Sequence, residues 1–389
     1  MRGNPFTPGF GSSPLVLAGR DDILDEFRVA LEGPGRESGS ILLIAGRGSG
    51  KTVLLNRLQG VAGEYGWLWV QEDGRRGLVE RVTAQLEQLS AQLDPPPKRR
   101  LNRVDITAVG GVGWESVARA EPVRSLRAAW ERTLDRLAAT VPRNAPAQGV
   151  LLTVDEIHHA DVEEMNELGQ TFQHLLRAER PVAFAGAGLP GPAMERLLTS
   201  EGAPTFLLRS WQPHEDLAQL PDTEVVAGLQ GTAALGGKRF DDEALALAVE
   251  AIAGFPYMLQ LLGQEAWRAP GTLKVIRAAH VHQAIPIAHR RLGQNIVAVE
   301  LRGLSGQDLQ FLLAMAQDPA NQPSHFADIR DRMGVDKSYA SRYRDRLLRK
   351  HVIRSVGYGL VEFNGPGMRE FLREHASQPA LGRGVATEV

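Results

Sequence analysis

No cysteine occurs anywhere in the 389 residues. That absence excludes disulfides, thiol nucleophiles and thiolate-held zinc, and it suits a reducing compartment. No apolar run approaches the roughly 20 residues that a membrane-spanning helix needs. The opening stretch MRGNPFTPGFGSSP lacks the apolar core of a secretory signal. The expected location is therefore the cytoplasm, with no membrane partner. Excess charge is also missing: the net charge is −2, so the chain as a whole is no generic polyanion binder. The composition is that of an ordinary globular protein, 43% hydrophobic and 23% charged. At roughly 100–200 residues per domain, the length allows two or three domains.

Residues 1–18 are rich in Gly, Pro and Ser and predict an extended arm. Ile23, Leu24, Phe27 and Leu31 share one face of a helix starting at Asp21. The short apolar run at 41–45 has the pattern of a strand buried on both faces, 150–154 is another buried strand, and 67–71, 181–185 and 205–209 are expected as further strands. Helical stretches separate them, which predicts an α/β fold with a parallel, doubly wound sheet. Gly110-Gly111 marks a hairpin within an insert at 98–115. After Pro213 the strand signals stop, and 213–300 predicts several helices broken at Gly236-Gly237, Gly254–Pro256 and Pro270. From Leu304 the pattern changes again. Three short helices (305–317, 325–333, 337–350) precede the β-like RSVGYGLVEF, and 376–389 is expected to be a flexible tail.

Ala45-Gly46-Arg47-Gly48-Ser49-Gly50-Lys51-Thr52 lies between an apolar strand and a helix running on through Val53. Glycines there let backbone N–H groups curl around phosphates, and the helix N-terminus adds positive potential. In such a phosphate loop Lys51 reaches the β- and γ-phosphates and Thr52 ligates Mg²⁺. The plain alternative is a Gly-rich turn. About 100 residues on, VLLTV delivers Asp155 and Glu156. Asp155 suits the Mg²⁺ shell and Glu156 the polarisation of an attacking water. A helix-capping acid pair is the other reading. The expected cofactors are ATP and Mg²⁺. His158 and His159 are adjacent and lack metal-ligand spacing, so they are expected at the surface or near the end of the fourth strand.

Together, AGRDDILDEF, AGRGSGKT, LLTVDEIHHAD and FAGAGLP resemble the AAA+ and STAND groups of P-loop ATPases, above all those similar to origin-recognition initiators. The resemblance implies a P-loop NTPase core over 19–212, a helical lid over 213–300 and a winged helix-turn-helix domain over 301–375. It implies that Gly19 and Arg20 lie near the base, unless they merely open a helix. Pro256, in Gly254-Phe255-Pro256-Tyr257, resembles the Gly-x-Pro lid motif of STAND ATPases. Arg196 and Arg209 become candidates for an arginine acting on a neighbouring subunit's nucleotide, with a surface role as the alternative. Two departures stand out. The fourth strand ends in Gly and Ala where the family has a polar sensor, and the lid motif offers no arginine. They imply a slow, switch-like ATPase.

In the proposed winged helix, HFADIRDRM is the first helix of the motif and KSYASRYRDRLLRKHVI the recognition helix, with Val356-Gly357-Tyr358-Gly359 as wing tip. Residues 337–354 hold seven basic residues against one acid, Asp345. Ser338, Ser341, Arg342 and Asp345 share a face. With Lys337, Arg344 and Arg346 that face suits double-stranded DNA. A winged helix making protein contacts is the alternative, and Leu347, Leu348, Val352 and Ile353 are expected in the core. The basic triplet Lys98-Arg99-Arg100 permits DNA contact by the insert, although a solvated loop explains it as well. Three functions follow. One is an ATP-dependent DNA-binding switch that self-associates. The second is a STAND-type signalling or defence ATPase. The third is a small-molecule kinase, against which the two C-terminal regions argue.

Overall fold

The computed structural model describes residues 3–9, 11–32, 39–93, 125–142, 148–199, 211–214, 217, 219–319, 322–365 and 367–375. The insert at 98–115, the expected strand 205–209, Arg209 and the tail 376–389 lie outside the described residues.

The first unit is a five-stranded parallel sheet flanked by helices. Its strands are β1 (Ser40–Ile44), β2 (Leu68–Asp73), β3 (Val150–Asp155), β4 (Val182–Gly188) and β5 (Trp211–His214), in the spatial order β2-β3-β4-β1-β5. The helices are α1 (Asp21–Glu32), α2 (Lys51–Glu64), α3 (Leu78–Gln92), α4 (Leu126–Thr140), α5 (Val162–Arg177) and α6 (Pro192–Thr199). The period of two in β1, β3 and β4 feeds two cores. Leu42 and Ile44 join Leu152, Val154, Phe184 and Trp130 on one side. Ile41 and Leu43 join Leu151, Ala183, Phe27 and Leu58 on the other. Burial on both faces explains why these strands are continuous apolar runs.

β4 runs three residues further than its apolar run, through Gly186 and Gly188. An added Cβ at Gly188 would meet the Met194 side chain at 2.4 Å and Ile157 at 3.0 Å. The strand end is bare because neighbours from a short turn (Ile157–His159) and from α6 fill the space that a side chain would take. This is a packing reason for the missing polar sensor.

A helical unit follows: α7 (Asp222–Leu235), α8 (Asp242–Ile252), α9 (Pro256–Arg268) and α10 (Ala278–Leu292). The expected Gly/Pro breaks fall between these helices. Pro256 occupies the first turn of α9, where its missing N–H costs no helical bond. A two-stranded parallel pair, β6 (Arg239–Phe240) with β7 (Val275–Ile276), went unpredicted, since two residues are too few to show a period. The N-terminal arm packs on this unit. Phe6 is fully buried in its core. Asn4 Nδ2 donates to Gln264 O at 2.9 Å, and Thr7 N to Gln260 Oε1 at 3.0 Å.

A π-turn (Gly293–Val297) and α11 (Ala298–Leu301) lead to the C-terminal elements. These are α12 (Gly306–Ala316), β8 (Ser324–His325), α13 (Phe326–Met333), α14 (Lys337–Arg349), β9 (Ile353–Gly357), β10 (Leu360–Phe363) and α15 (Met368–His375). The three strands form an antiparallel sheet ordered β8-β10-β9. Leu347, Val352 and Ile353 are buried, and Leu348 packs against that core. α14 ends at Arg349, short of the expected Ile353, because His351 turns the chain at φ 52°.

Two arginines assigned to a DNA face are engaged elsewhere. Arg346 Nε donates to Asp308 Oδ1 at 2.7 Å and Nη2 to Ser305 Oγ at 2.6 Å. Ser305 and Asp308 form the reciprocal cap of α12, and Asp308 is buried. Arg344 pairs with Asp345 at 2.8 Å and lies 4.8 Å from the Phe326 ring centroid. Losing Arg346 leaves the buried Asp308 carboxylate without its cation, held by Ser305. Arg346→Ala is expected to destabilise the C-terminal elements by about 2–3 kcal/mol, given the partial exposure of the pair. Denaturant unfolding checks this, and a change under about 0.5 kcal/mol would contradict it.

Candidate nucleotide site

β1 ends at a loop whose backbone only glycine adopts easily. Gly48 has φ 78° and Gly50 φ 90°, both left-handed. An added Cβ on Gly48 would lie 2.7 Å from the Phe255 ring. Lys51 folds back over this loop, and its Nζ donates to Ala45 O and Gly46 O, both at 2.8 Å. Ser49 Oγ donates to Gly46 O at 2.9 Å. Burial pulls the Lys51 ammonium down to about 8, while Glu156 and Asp155 hold it up. Thr52, one residue on, donates from Oγ1 to Asp155 Oδ2 at 2.6 Å. Sheet order makes this possible: β4 alone separates β1 from β3, so both strand ends open on one edge. Hydroxyl and carboxylate oxygens are hard donors of the kind that Mg²⁺ prefers.

Glu156 sits at φ 50°, a left-handed position that is rare for such a residue. Its N–H donates to Asp155 Oδ1 at 2.8 Å. His158 braces it. Leu189 N donates to His158 Nδ1 at 3.1 Å, which leaves the ring proton on Nε2, 3.3 Å from Glu156 Oε2. His158 therefore joins the ends of β3 and β4 and is largely buried, whereas His159 is exposed. The turn also brings one donor atom each from Glu156, His158 and His159 within 4.8 Å of one another, a proximity that their spacing did not suggest.

A cavity of about 220 Å³ runs beside the loop. Gly48, Gly50, Lys51, Thr52 and Val53 line it, with Arg20, Glu156 and the lid residues Pro256 and Tyr257. The lid touches the loop directly: Tyr257 N donates to Gly48 O at 3.2 Å, and Asn295 Nδ2 to Tyr257 Oη at 2.9 Å. Arg20 also has a structural task, since its Nη2 donates to Leu217 O at 2.6 Å. Gly19 packs instead against Leu220 and Glu224, outside the cavity wall. Arg196 is exposed, bonds Pro192 O of its own helix at 3.3 Å, and lines neither this cavity nor the larger one beside it.

Sequence reasoning missed the arm as part of the site. Thr7, Ser12, Pro14, Val16 and Leu17 all line the cavity. Phe6, an aromatic in a Gly/Pro-rich stretch, was a signal that the arm docks. Arg47 and Ser49 also face a second cavity of about 810 Å³, shared with Lys350, Arg354 and Asn364 of the C-terminal elements. Of the residues assigned to a DNA face, Lys337, Ser338 and Arg342 are exposed and Ser341 is half-buried. The last turn of α14 approaches the core, where an added Cβ on Gly191 would lie 3.7 Å from Arg349 O.

Residues 16–184 match the family described as AAA ATPase domain. Residues 294–372 match a domain of unknown function, DUF8462. No curated protein matches. Among solved structures, the Walker-type ATPase PABY2304 of Pyrococcus abyssi is 14% identical, with 92% of this chain and 96% of that one covered at a TM-score of 0.61. Cdc6p from Pyrobaculum aerophilum is 16% identical, with 95% and 97% covered at 0.45. The Aeropyrum pernix Orc1 protein, solved in complex with DNA, is 17% identical, with 95% and 96% covered at 0.42. At such identities the likeness is one of fold, and the first of the three carries it.

His158 generates a pH prediction. Burial first, and His159 second, push its pKa down to about 4, against about 6.5 in an unfolded chain. Between those values the unfolded state holds a proton that the folded state does not, so stability falls as pH drops through that window. Solvent screening at this partly open site keeps the effect on the order of 1–2 kcal/mol. Thermal unfolding from pH 7 to pH 4 should show His158→Gln losing less stability than the unsubstituted chain, and parallel profiles would contradict the assignment.

Proposed function

We propose that the chain, whose residues 16–184 match an AAA ATPase domain, is an ATP-binding switch that controls how its C-terminal elements meet duplex DNA. The observation that carries this reading is the direct seat of the lid on the phosphate loop, through Tyr257 N to Gly48 O and the Phe255 ring on Gly48. Lys51 now satisfies its charge on two carbonyls of its own loop. Phosphate oxygens satisfy it better, so binding a nucleotide breaks that internal pairing and disturbs the residues that rest on it.

Thr52 and Asp155 would hold Mg²⁺, which supplies neutralising charge for the phosphates. Glu156 orients water, braced by His158. Val53, the loop N–H groups and Arg20 position the nucleotide, and the arm and Pro256 wall its base. Hydrolysis is slow on this reading, because β4 ends without a polar group and the lid motif brings no arginine. An arginine from a neighbouring copy would complete the site, and Arg196, exposed with one bond within its own helix, is placed to act that way in a self-associated form.

For the C-terminal elements we take a winged-helix reading. α14 presents Lys337 and Arg342 to solvent at its first turns, and the β9–β10 turn projects a fully exposed Tyr358. A second reading is a signalling ATPase whose winged helix makes internal contacts. It is favoured by the C-terminal end of α14, which lies against the core, and by the cleft shared with Arg47.

Fluorescence anisotropy on a duplex, with ATP analogue or ADP, separates the two. The DNA reading expects Lys337→Ala with Arg342→Ala to weaken binding about tenfold and to lower the salt slope by about 2. No binding with either nucleotide leaves only the signalling reading.

A further inference from the structure

The larger cavity opens where three parts of the chain meet. Gly46, Arg47 and Ser49 form one wall, and Lys350 and Asn364 another. Between them, in α11, Glu300 is half-buried and lines the same cleft. An added Cβ on Gly365 would lie 3.5 Å from Glu300 Oε2, so the carboxylate also rests beside the loop after β10. The helix that carries it follows the π-turn directly. Such turns concentrate at functional positions. Asn295 of that turn holds Tyr257, which holds Gly48. The stem of the C-terminal elements therefore reaches the phosphate loop by two routes, one through hydrogen bonds and one through charge.

The charge route is one-sided. Glu300 lines one cleft with Arg47, and burial pushes its carboxyl up to about 7 against the pull of Arg47 and, more weakly, Lys51. Its field in turn supports the Lys51 ammonium. The two loop cations thus have an acid that comes from outside the ATPase core. Asp155 and Glu156, at the end of β3, act on the same lysine from within the core.

We propose that Glu300 makes this site distinguish a nucleoside triphosphate from a diphosphate, and that it passes the difference to the C-terminal elements. The inference rests on the loop being the nucleotide pocket. A third phosphate adds negative charge at the cations that Glu300 serves, and like charges in a half-buried site repel strongly. Moving α11 away relieves the repulsion. Ser305, five residues beyond Glu300, caps α12, so the first C-terminal helix moves with it. A ligand shifts a conformational equilibrium only by its differential affinity for the two states. Glu300 supplies that differential for the triphosphate and withholds it from the diphosphate.

Calorimetric titration of the full chain with AMP-PNP and with ADP, each with Mg²⁺, tests this. At pH ~8.5, where a carboxyl pushed up to about 7 is ionised, Glu300→Gln should tighten AMP-PNP by about tenfold and ADP by less than about twofold. Glu300→Asp keeps the charge and should stay near the unsubstituted ratio. Should Glu300→Gln fail to fold, Glu300→Ala carries the same expectation. Equal shifts for both nucleotides, or none, overturn the role of Glu300 while leaving the nucleotide pocket standing. If the unsubstituted chain binds neither nucleotide, the pocket reading fails and the inference falls with it.

Discussion

The fold around the phosphate loop is governed by one problem: a lysine ammonium buried at the end of a sheet. Lys51 is buried, and that burial pulls its pKa down to about 8 even against the support of three carboxylates. A charge in that position needs partners. Two loop carbonyls provide them in the described state, and three carboxylates act from a distance. Much of the local architecture follows from this need. β4 is inserted between β1 and β3 so that Asp155 reaches Thr52. Gly48 is bare so that Phe255 can close over the loop.

The parts of this arrangement that depend on local sequence were legible. Strand, glycines, Lys51 and Thr52 follow one another within a dozen residues, and Asp155 ends the buried run VLLTV. Burial on both faces forces such runs to be continuous, which is why β1, β3 and β4 showed themselves. The Gly/Pro breaks of the lid were legible for a similar reason, because a missing N–H or a left-handed turn acts where it stands.

What depended on long-range packing was not legible. The arm docks through Phe6 and through hydrogen bonds to residues some 250 positions away. Arg346 counted as one of seven basic residues, yet its partner Asp308 lies on another helix. Nothing in a helix pattern separates a solvated arginine from one that caps a neighbour. Glu300 had no distinguishing context at all, since it meets Arg47 only through the fold. The bare end of β4 was visible as Gly and Ala, but the reason was not: Met194 and Ile157 occupy the space.

These elements converge on the claim that the phosphate loop controls the placement of the C-terminal elements through the lid and α11. The lack of cysteine makes a direct test clean, since Glu167→Cys on α5 and Asp331→Cys on α13 can be spin-labelled without background. Pulsed electron resonance then reads the distance between core and C-terminal elements in the empty, ADP-bound and AMP-PNP-bound chain. The account predicts that AMP-PNP shifts the distance distribution and that ADP leaves it near that of the empty chain. Identical distributions in all three states, with both nucleotides bound, would contradict it.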